Sequence, residues 1–224
     1  MLISFSHHLS ETTPFYKALR APRLERLYDL SKGDACNSFY LTTSNHAGTH
    51  VDGPNHFNPA GRQIAEYDLS ELVFTRPDVV DIQLDADELI LPEHLTKCNE
   101  CRSDCDFLFV RSGFGKFRTD AEKYIEHNPG FSAAAADFVM DRFKGLKAVA
   151  VDFASIAAME HMEEGCEAHR VFLGCGQYHD RPVLLVEDIR IPDPLPHLHK
   201  IYLIPWLVDG LDSAPCTLFA EAEE

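Results

Sequence analysis

Short apolar runs recur along the 224-residue chain, and polar turns interrupt every one of them. Phe107-Leu108-Phe109-Val110 and Val183-Leu184-Leu185-Val186 are apolar at each position, the pattern of strands buried on both faces. Together with residues 38–43, 79–84, 107–111, 148–152, 183–186 and 201–207, they predict a sheet built from many short strands. The spacing changes at 132–143, where an Ala-rich stretch follows Pro129-Gly130. Ser132 is placed to cap a helix there, Phe138, Val139, Arg142 and Phe143 give it a partly apolar face, and Gly145 is its expected stop. Residues 146–152 then run from helix into strand, with Asp152 at the strand's C-terminal end, where chemistry collects in α/β sheets. The expectation is an α/β or α+β fold with a mixed sheet. No internal repeat, low-complexity tract or linker divides the chain, so a single domain over 1–224 is expected.

Charge narrows the partners. Lys and Arg total 20 against 36 Asp and Glu, a formal charge of −16, which repels phosphate backbones and anionic lipid. Neither a nucleic acid nor a membrane is an expected partner, whereas cations are favoured. No stretch approaches the ~20 apolar residues of a membrane helix, and residues 1–8 carry no secretory pattern. Seven cysteines without a disulfide-scaffold spacing fit reduced thiols, hence an expected cytoplasmic location.

Twelve histidines change the picture again. The segment Asn45-His46-Ala47-Gly48-Thr49-His50-Val51-Asp52-Gly53-Pro54-Asn55-His56-Phe57 sets His46, His50, Asp52 and His56 at positions of one parity. On an extended strand such side chains share a face, and the glycines, Pro54 and the β-branched residues argue against a helix. His50 and Asp52 would lie ~7 Å apart, within bridging reach of one ion, but His46 and His50 ~13 Å apart on a straight strand. Both can bind one metal only if the chain bends, which Gly48 permits; Pro54 then directs His56 back. Two imidazoles and a carboxylate suit zinc, manganese or iron(II) and leave a position for water. One local motif rarely completes a coordination sphere. By spacing alone the distal ligand remains open among His161, His169, Glu187, Asp188 and the pair His197 and His199.

The segment His46–Phe57 resembles the H-x-G-T-H-x-D-x-P-x-H-F signature of the cyclase family, which includes bacterial kynurenine formamidases (arylformamidases) and isatin hydrolases. Similarity continues in Ile3-Ser4-Phe5-Ser6-His7-His8-Leu9-Ser10, Phe109-Val110-Arg111-Ser112-Gly113-Phe114-Gly115 and Pro129-Gly130-Phe131-Ser132. It extends through Lys147–Ile156, Ala168-His169-Arg170-Val171-Phe172-Leu173 and Leu185-Val186-Glu187-Asp188-Ile189. The resemblance implies a β/β/α arrangement with a mixed sheet, assembled as a homodimer or homotetramer. It implies His46, His50 and Asp52 as metal ligands, Asp52 able to bridge to a second ion, and His169 and Glu187 as distal ligands. His56 would be the catalytic acid or base. The implied activity is hydrolysis of a small-molecule amide or formamide by a divalent metal, zinc before manganese, with one or two ions. N-formylkynurenine, and so tryptophan catabolism, is the leading expectation; a cyclic amide is the alternative, and a non-catalytic metal-binding protein a third. Three features depart from the family pattern: the residues 175–181 lengthen the connection between His169 and Glu187, residues 12–32 lack a P-G-D segment, and Phe114 replaces a common Trp.

Other features read more plainly. Cys98, Cys101 and Cys105 form a C-x₂-C-x₃-C spacing without a fourth ligand and are expected to be incidental loop cysteines. Cys175 has no neighbouring base to make it a nucleophile. Gly113-Phe114-Gly115 is too short for a phosphate loop. The Pro192, Pro194, Pro196 stretch with His197 and His199 is expected to be an extended connector, and residues 221–224 a frayed end. For Asp152 and Ser155, a role supporting the site and a purely structural one both remain open.

Overall fold

Runs of apolar residues become strands here because both faces of the sheet find something to pack against. The computed structural model describes residues 1–223 and contains β1 (Leu2–Ser4), β2 (Arg23–Tyr28), β3 (Ser38–Thr42), β4 (His50–Asp52), β5 (Val73–Phe74), β6 (Pro77–Asp81) and β7 (Leu89–Ile90). These are followed by β8 (Phe107–Arg111), α1 (Ala121–Glu126), β9 (Gly130–Phe131), α2 (Ala133–Arg142), β10 (Ala148–Val151) and α3 (Met162–Phe172). The chain closes with β11 (Leu184–Glu187), β12 (Leu198–Pro205) and β13 (Ser213–Ala222). A nine-stranded mixed sheet runs β5-β12-β13-β4-β11-β10-β8-β6, with β1 added along β13. From β6 to β11 the strands are parallel; from β11 onward they are antiparallel. β12 also lies alongside β6, so the sheet curls towards a closed barrel.

Alternation along the strands divides the core in two. Phe107, Phe109, Ala148, Ala150, Leu184 and Val186 point inward to meet Ile201, Leu203, Leu218 and Ala220. Leu108, Val110, Val149, Val151 and Leu185 point outward beneath Val139, Met140, Phe143 and Phe172 of the helical layer. The alanines of β10 make room for the rings of β8, where Phe107 and Phe109 pack at a tilt with centroids 4.7 Å apart and Phe5 lies 4.9 Å from Phe109. The strands expected to be buried on both faces are so.

α2 begins as its sequence predicts, with Ser132 Oγ accepting the Ala135 N–H at 3.1 Å. Its end differs: the helix stops at Arg142, Phe143 N–H bonds Val139 C=O, and Gly145 lies beyond without a positive φ. Cys98 lies in a short 3-10 helix and Cys101 and Cys105 in the loop that follows, all three buried against α2 as core filler. One further expectation is corrected. Residues 221 and 222 are not frayed: β13 is flanked there by β1 and β12, which satisfy its backbone on both sides. Glu224 lies outside the described residues.

β2 and β3 form a hairpin apart from the main sheet. Its register places Leu24 opposite Leu41 and Arg26 opposite Phe39 on one face, and these apolar side chains are 43–48% exposed. The guanidinium of Arg26 sits 4.7 Å over the Phe39 ring.

Candidate metal centre

β4 is only three residues long, and its outer two side chains face the same way. Antiparallel register sets His50 opposite Glu187 of β11 and Asp52 opposite Ser213 of β13. One face of the sheet therefore gathers His50, Asp52, Glu187 and Ser213, while Val51 goes to the inner core. α3 packs over that face and delivers His169. The straight strand of four in-register residues does not occur. Gly48, at φ +68°, turns the chain ahead of β4 and places the His46 ring 5.2 Å from that of His50. Pro54 opens a single 3-10 turn, Pro54–His56, that brings the His56 ring to 4.4 Å from His46.

Hydrogen bonds set the direction of each imidazole. His50 Nδ1 lies 2.9 Å from Gly48 C=O and His169 Nδ1 2.8 Å from Gly165 C=O. A carbonyl only accepts, so Nδ1 carries a proton in both rings, and in the neutral ring each Nε2 presents a lone pair. Those lone pairs face more acceptors: His50 Nε2 is 3.5 Å from Asp52 Oδ1 and 3.4 Å from Glu187 Oε2, and His169 Nε2 is 3.6 Å from Glu187 Oε1. His46 Nδ1 lies 3.1 Å from Asp52 Oδ1. Buried His50 Nε2 and both carboxylate oxygens of Asp52 have no hydrogen-bond partner. Only a proton or a cation between them relieves that arrangement. His46, Asp52 and His56 each offer a ligand atom within 4.8 Å of the others', and so do His50, Asp52 and Glu187. Asp52 is common to both groups.

The electrostatics agree. Burial opposes charge on His46, yet Asp52 and Asp212 outweigh it and push the imidazole up to about 10. His50 and His169 are raised as well, against burial, by Asp52 and Glu187 for the first and by Glu187 for the second. The carboxyls of Asp52 and Glu187 are lowered although burial acts in the other direction, because imidazoles surround them. Glu187 is further fixed by the Ile156 N–H at 2.8 Å and the Ser155 hydroxyl at 3.1 Å, so Ser155 supports the cluster. Asp152 does not. Its carboxylate accepts from Ser112 N–H, Ser112 Oγ and Gly113 N–H, and so occupies the Gly113 turn itself.

Two residues at this centre went unread in the sequence. Asp212 Oδ2 accepts from His56 Nδ1 at 2.6 Å and lies 3.4 Å from His46 Nε2. Hydrogen bonds from His46 and His56 hold its carboxyl far below the usual range. Ser213 Oγ lies 3.0 Å from His46 Nε2. Neither sits in a motif; only the strand register brings them here. The other spacing candidates are elsewhere. Asp188, at φ +53°, turns away to accept from Arg118 Nε and Nη2 and from the Tyr124 hydroxyl, all at 2.7 Å. His161 is exposed, and His197 and His199 meet edge to face at 5.1 Å on the β12 side. Cys175 Sγ faces the Phe57 carbonyl, and burial raises its thiol.

A cavity of about 390 Å³ opens onto the centre. Its walls are apolar, chiefly Tyr16, Leu19, Phe57, Met159, Met162 and Cys166, with His46, His50, Asp52, His56, His169 and Glu187 along one side. Phe57 stacks on His169 with centroids 4.8 Å apart. Lys17 and Glu126 pair at 3.2 Å within the same lining.

Comparison with known proteins bears on this arrangement. A family model described as "Putative cyclase" matches residues 3–158. A kynurenine formamidase of Bacillus cereus is 28% identical over 179 residues, 78% of this chain and 75% of that protein. Cyclase-like protein 2 of Oryza sativa subsp. japonica is 24% identical over 187 residues, 83% of this chain, and the chain spans 65% of that plant protein's length. An isatin hydrolase bound to the product analogue thioisatinate superposes with a TM-score of 0.83 at 15% identity, over 99% of this chain and 92% of that one, and so shares its fold.

Proposed function

The chain belongs to the cyclase family, and from that footing we propose that it is a metal-dependent hydrolase of non-peptide carbon–nitrogen bonds, most like an arylformamidase acting on N-formylkynurenine. One observation carries the metal: Nε2 of His50 meets the lone pairs of Asp52 and Glu187 in a buried place without a donor. The donor set of imidazole and carboxylate suits zinc first and manganese second. His46, His50, Asp52, His169 and Glu187 would hold one or two ions, with Asp52 between them. When bound, such a cation acidifies water and polarises a carbonyl oxygen. His56 is the acid–base residue of this reading. Its Nδ1 is engaged by Asp212, its Nε2 is left for the cavity, and it takes a proton from water and returns it to the departing nitrogen. Such transfers are worth ~10²–10⁴ in rate.

The apolar cavity wall supports a second reading, hydrolysis of a flat cyclic amide. The two separate in one assay: purified protein, metal-loaded and chelated, against N-formylkynurenine, isatin and simple esters. Formamide cleavage by the loaded form alone is expected. Faster turnover of isatin would favour the cyclic amide, and no turnover of any would leave a metal-binding protein. The same proposal includes a second copy of the chain as partner. The apolar hairpin face of Leu24, Phe39 and Leu41 is exposed, and residues 17–42 carry five basic against three acidic side chains in a chain of −16, so this arm suits another acidic copy. A cytoplasmic place in tryptophan catabolism follows only from the formamidase reading.

A further inference from the structure

The imidazoles of His46 and His56 come from opposite sides of β4, and one carboxylate meets both. Asp212 Oδ2 is 2.6 Å from His56 Nδ1 and 3.4 Å from His46 Nε2, while Oδ1 accepts from Asn45 Nδ2 at 2.9 Å. The backbone of the same residue accepts the Gly53 N–H at 2.9 Å, the residue that starts the turn carrying His56. Asn45 Nδ2 also reaches Ser213 Oγ, which in turn touches His46 Nε2. Asp212 is thus anchored at its main chain and at both carboxylate oxygens.

We infer that Asp212 is a positioning residue shared by the metal centre and the acid–base histidine, fixing which nitrogen of each ring faces the reaction. The inference rests on the proposed function for its catalytic half, though not for its structural half. An acceptor-only carboxylate at His56 Nδ1 makes Nδ1 the protonated nitrogen, so Nε2 arrives in the cavity with a free lone pair and can accept a proton. The same carboxylate beside His46 Nε2 favours a proton there and leaves Nδ1, the nitrogen turned to Asp52, free to ligate. An amide in place of the carboxylate could present its NH₂ instead and select the wrong tautomer. No such constraint comes from the Ser213 hydroxyl, which donates or accepts equally well.

The test compares Asp212→Asn and Asp212→Ala with the wild type, each loaded with zinc. Nitrogen NMR of the imidazoles should show His56 protonated at Nδ1 in the wild type and shifted towards the other tautomer in Asp212→Asn. Zinc affinity by competition with a chelating dye should fall ~10–100-fold in both variants. With saturating zinc and N-formylkynurenine, kcat should fall ~10²–10⁴-fold with KM little changed, and acetate should restore part of kcat to Asp212→Ala. Unchanged tautomers together with unchanged zinc affinity would overturn the inference. So would a kcat loss that acetate leaves untouched while KM rises in proportion. If wild-type protein turns over none of the amides, the proposed function fails; the tautomer and affinity measurements still decide the role of Asp212.

Discussion

At the scale of single residues the centre is a competition between protons and a cation. His46, raised to about 10 in the absence of an ion, is protonated at neutral pH, and His50 and His169 are raised in the same direction. A metal must displace those protons, so binding releases protons and affinity climbs as pH rises, by up to about tenfold per unit for each proton displaced. Calorimetric titration of zinc in two buffers of different ionisation enthalpy checks this; a proton release of zero between pH 6 and 8 counts against it. Without metal the sign reverses. A raised imidazole stabilises the fold fully below its unfolded value near 6.5, and that contribution fades as pH rises towards 10. Substitution should separate the roles: Asp52→Ala loses both ion and turnover, whereas His56→Ala keeps the ion, measured by elemental analysis, and loses turnover. Four of these residues were legible because they crowd into eleven positions with Gly and Pro between them. Asp212 was not, since a lone aspartate in a turn looks like any solvated one until β13 pairs with β4.

Elements explain why distant residues meet. The twin pairings of β4, with β11 on one side and β13 on the other, decide that Glu187 and Ser213 share a face with His50 and Asp52. The apolar run 183–186 predicted β11 and the parity of the histidine segment an extended β4, whereas β13 went unread, and nothing in composition specifies register. The lengthened connection at 175–181 is spent in a turn at Gly176–Tyr178 before β11, so Glu187 still reaches the cluster. α3 depends on a close approach: a Cβ on Gly165 would lie 2.4 Å from the Ala157 Cα. Gly165→Ala should push the helix outward, cost about 1–3 kcal/mol, and weaken zinc binding, because the Gly165 carbonyl also orients His169. Thermal unfolding with and without zinc checks both effects; an unchanged midpoint would show that the helix yields freely. Phe39→Asp on the hairpin should leave the monomer fold intact but shift the molar mass seen by light scattering towards that of one chain. A wild type that already runs as a single chain would remove the second-copy proposal.

For the whole molecule, a mixed sheet with a helical layer was legible in outline, because runs apolar at every position need two cores; its curl towards a barrel went unread. The hairpin's separation from that sheet was not, since residues 38–43 look like any other strand. Stability should be linked to the ion: at 100 times its dissociation constant, zinc adds about 2.7 kcal/mol, and removal by chelator should lower the unfolding midpoint reversibly. A midpoint indifferent to chelator would place the cation outside the folded core.

β4, made early, is held between two strands made late. A nascent polypeptide released only as far as residue 158 already carries all of His46, His50, Asp52 and His56, yet lacks His169, Glu187 and Asp212 that close around them. Any cation the cluster takes must therefore wait for the later strands: until Glu187 and Asp212 have been made and β13 has paired with β4, the four early side chains lack the partners that close around them.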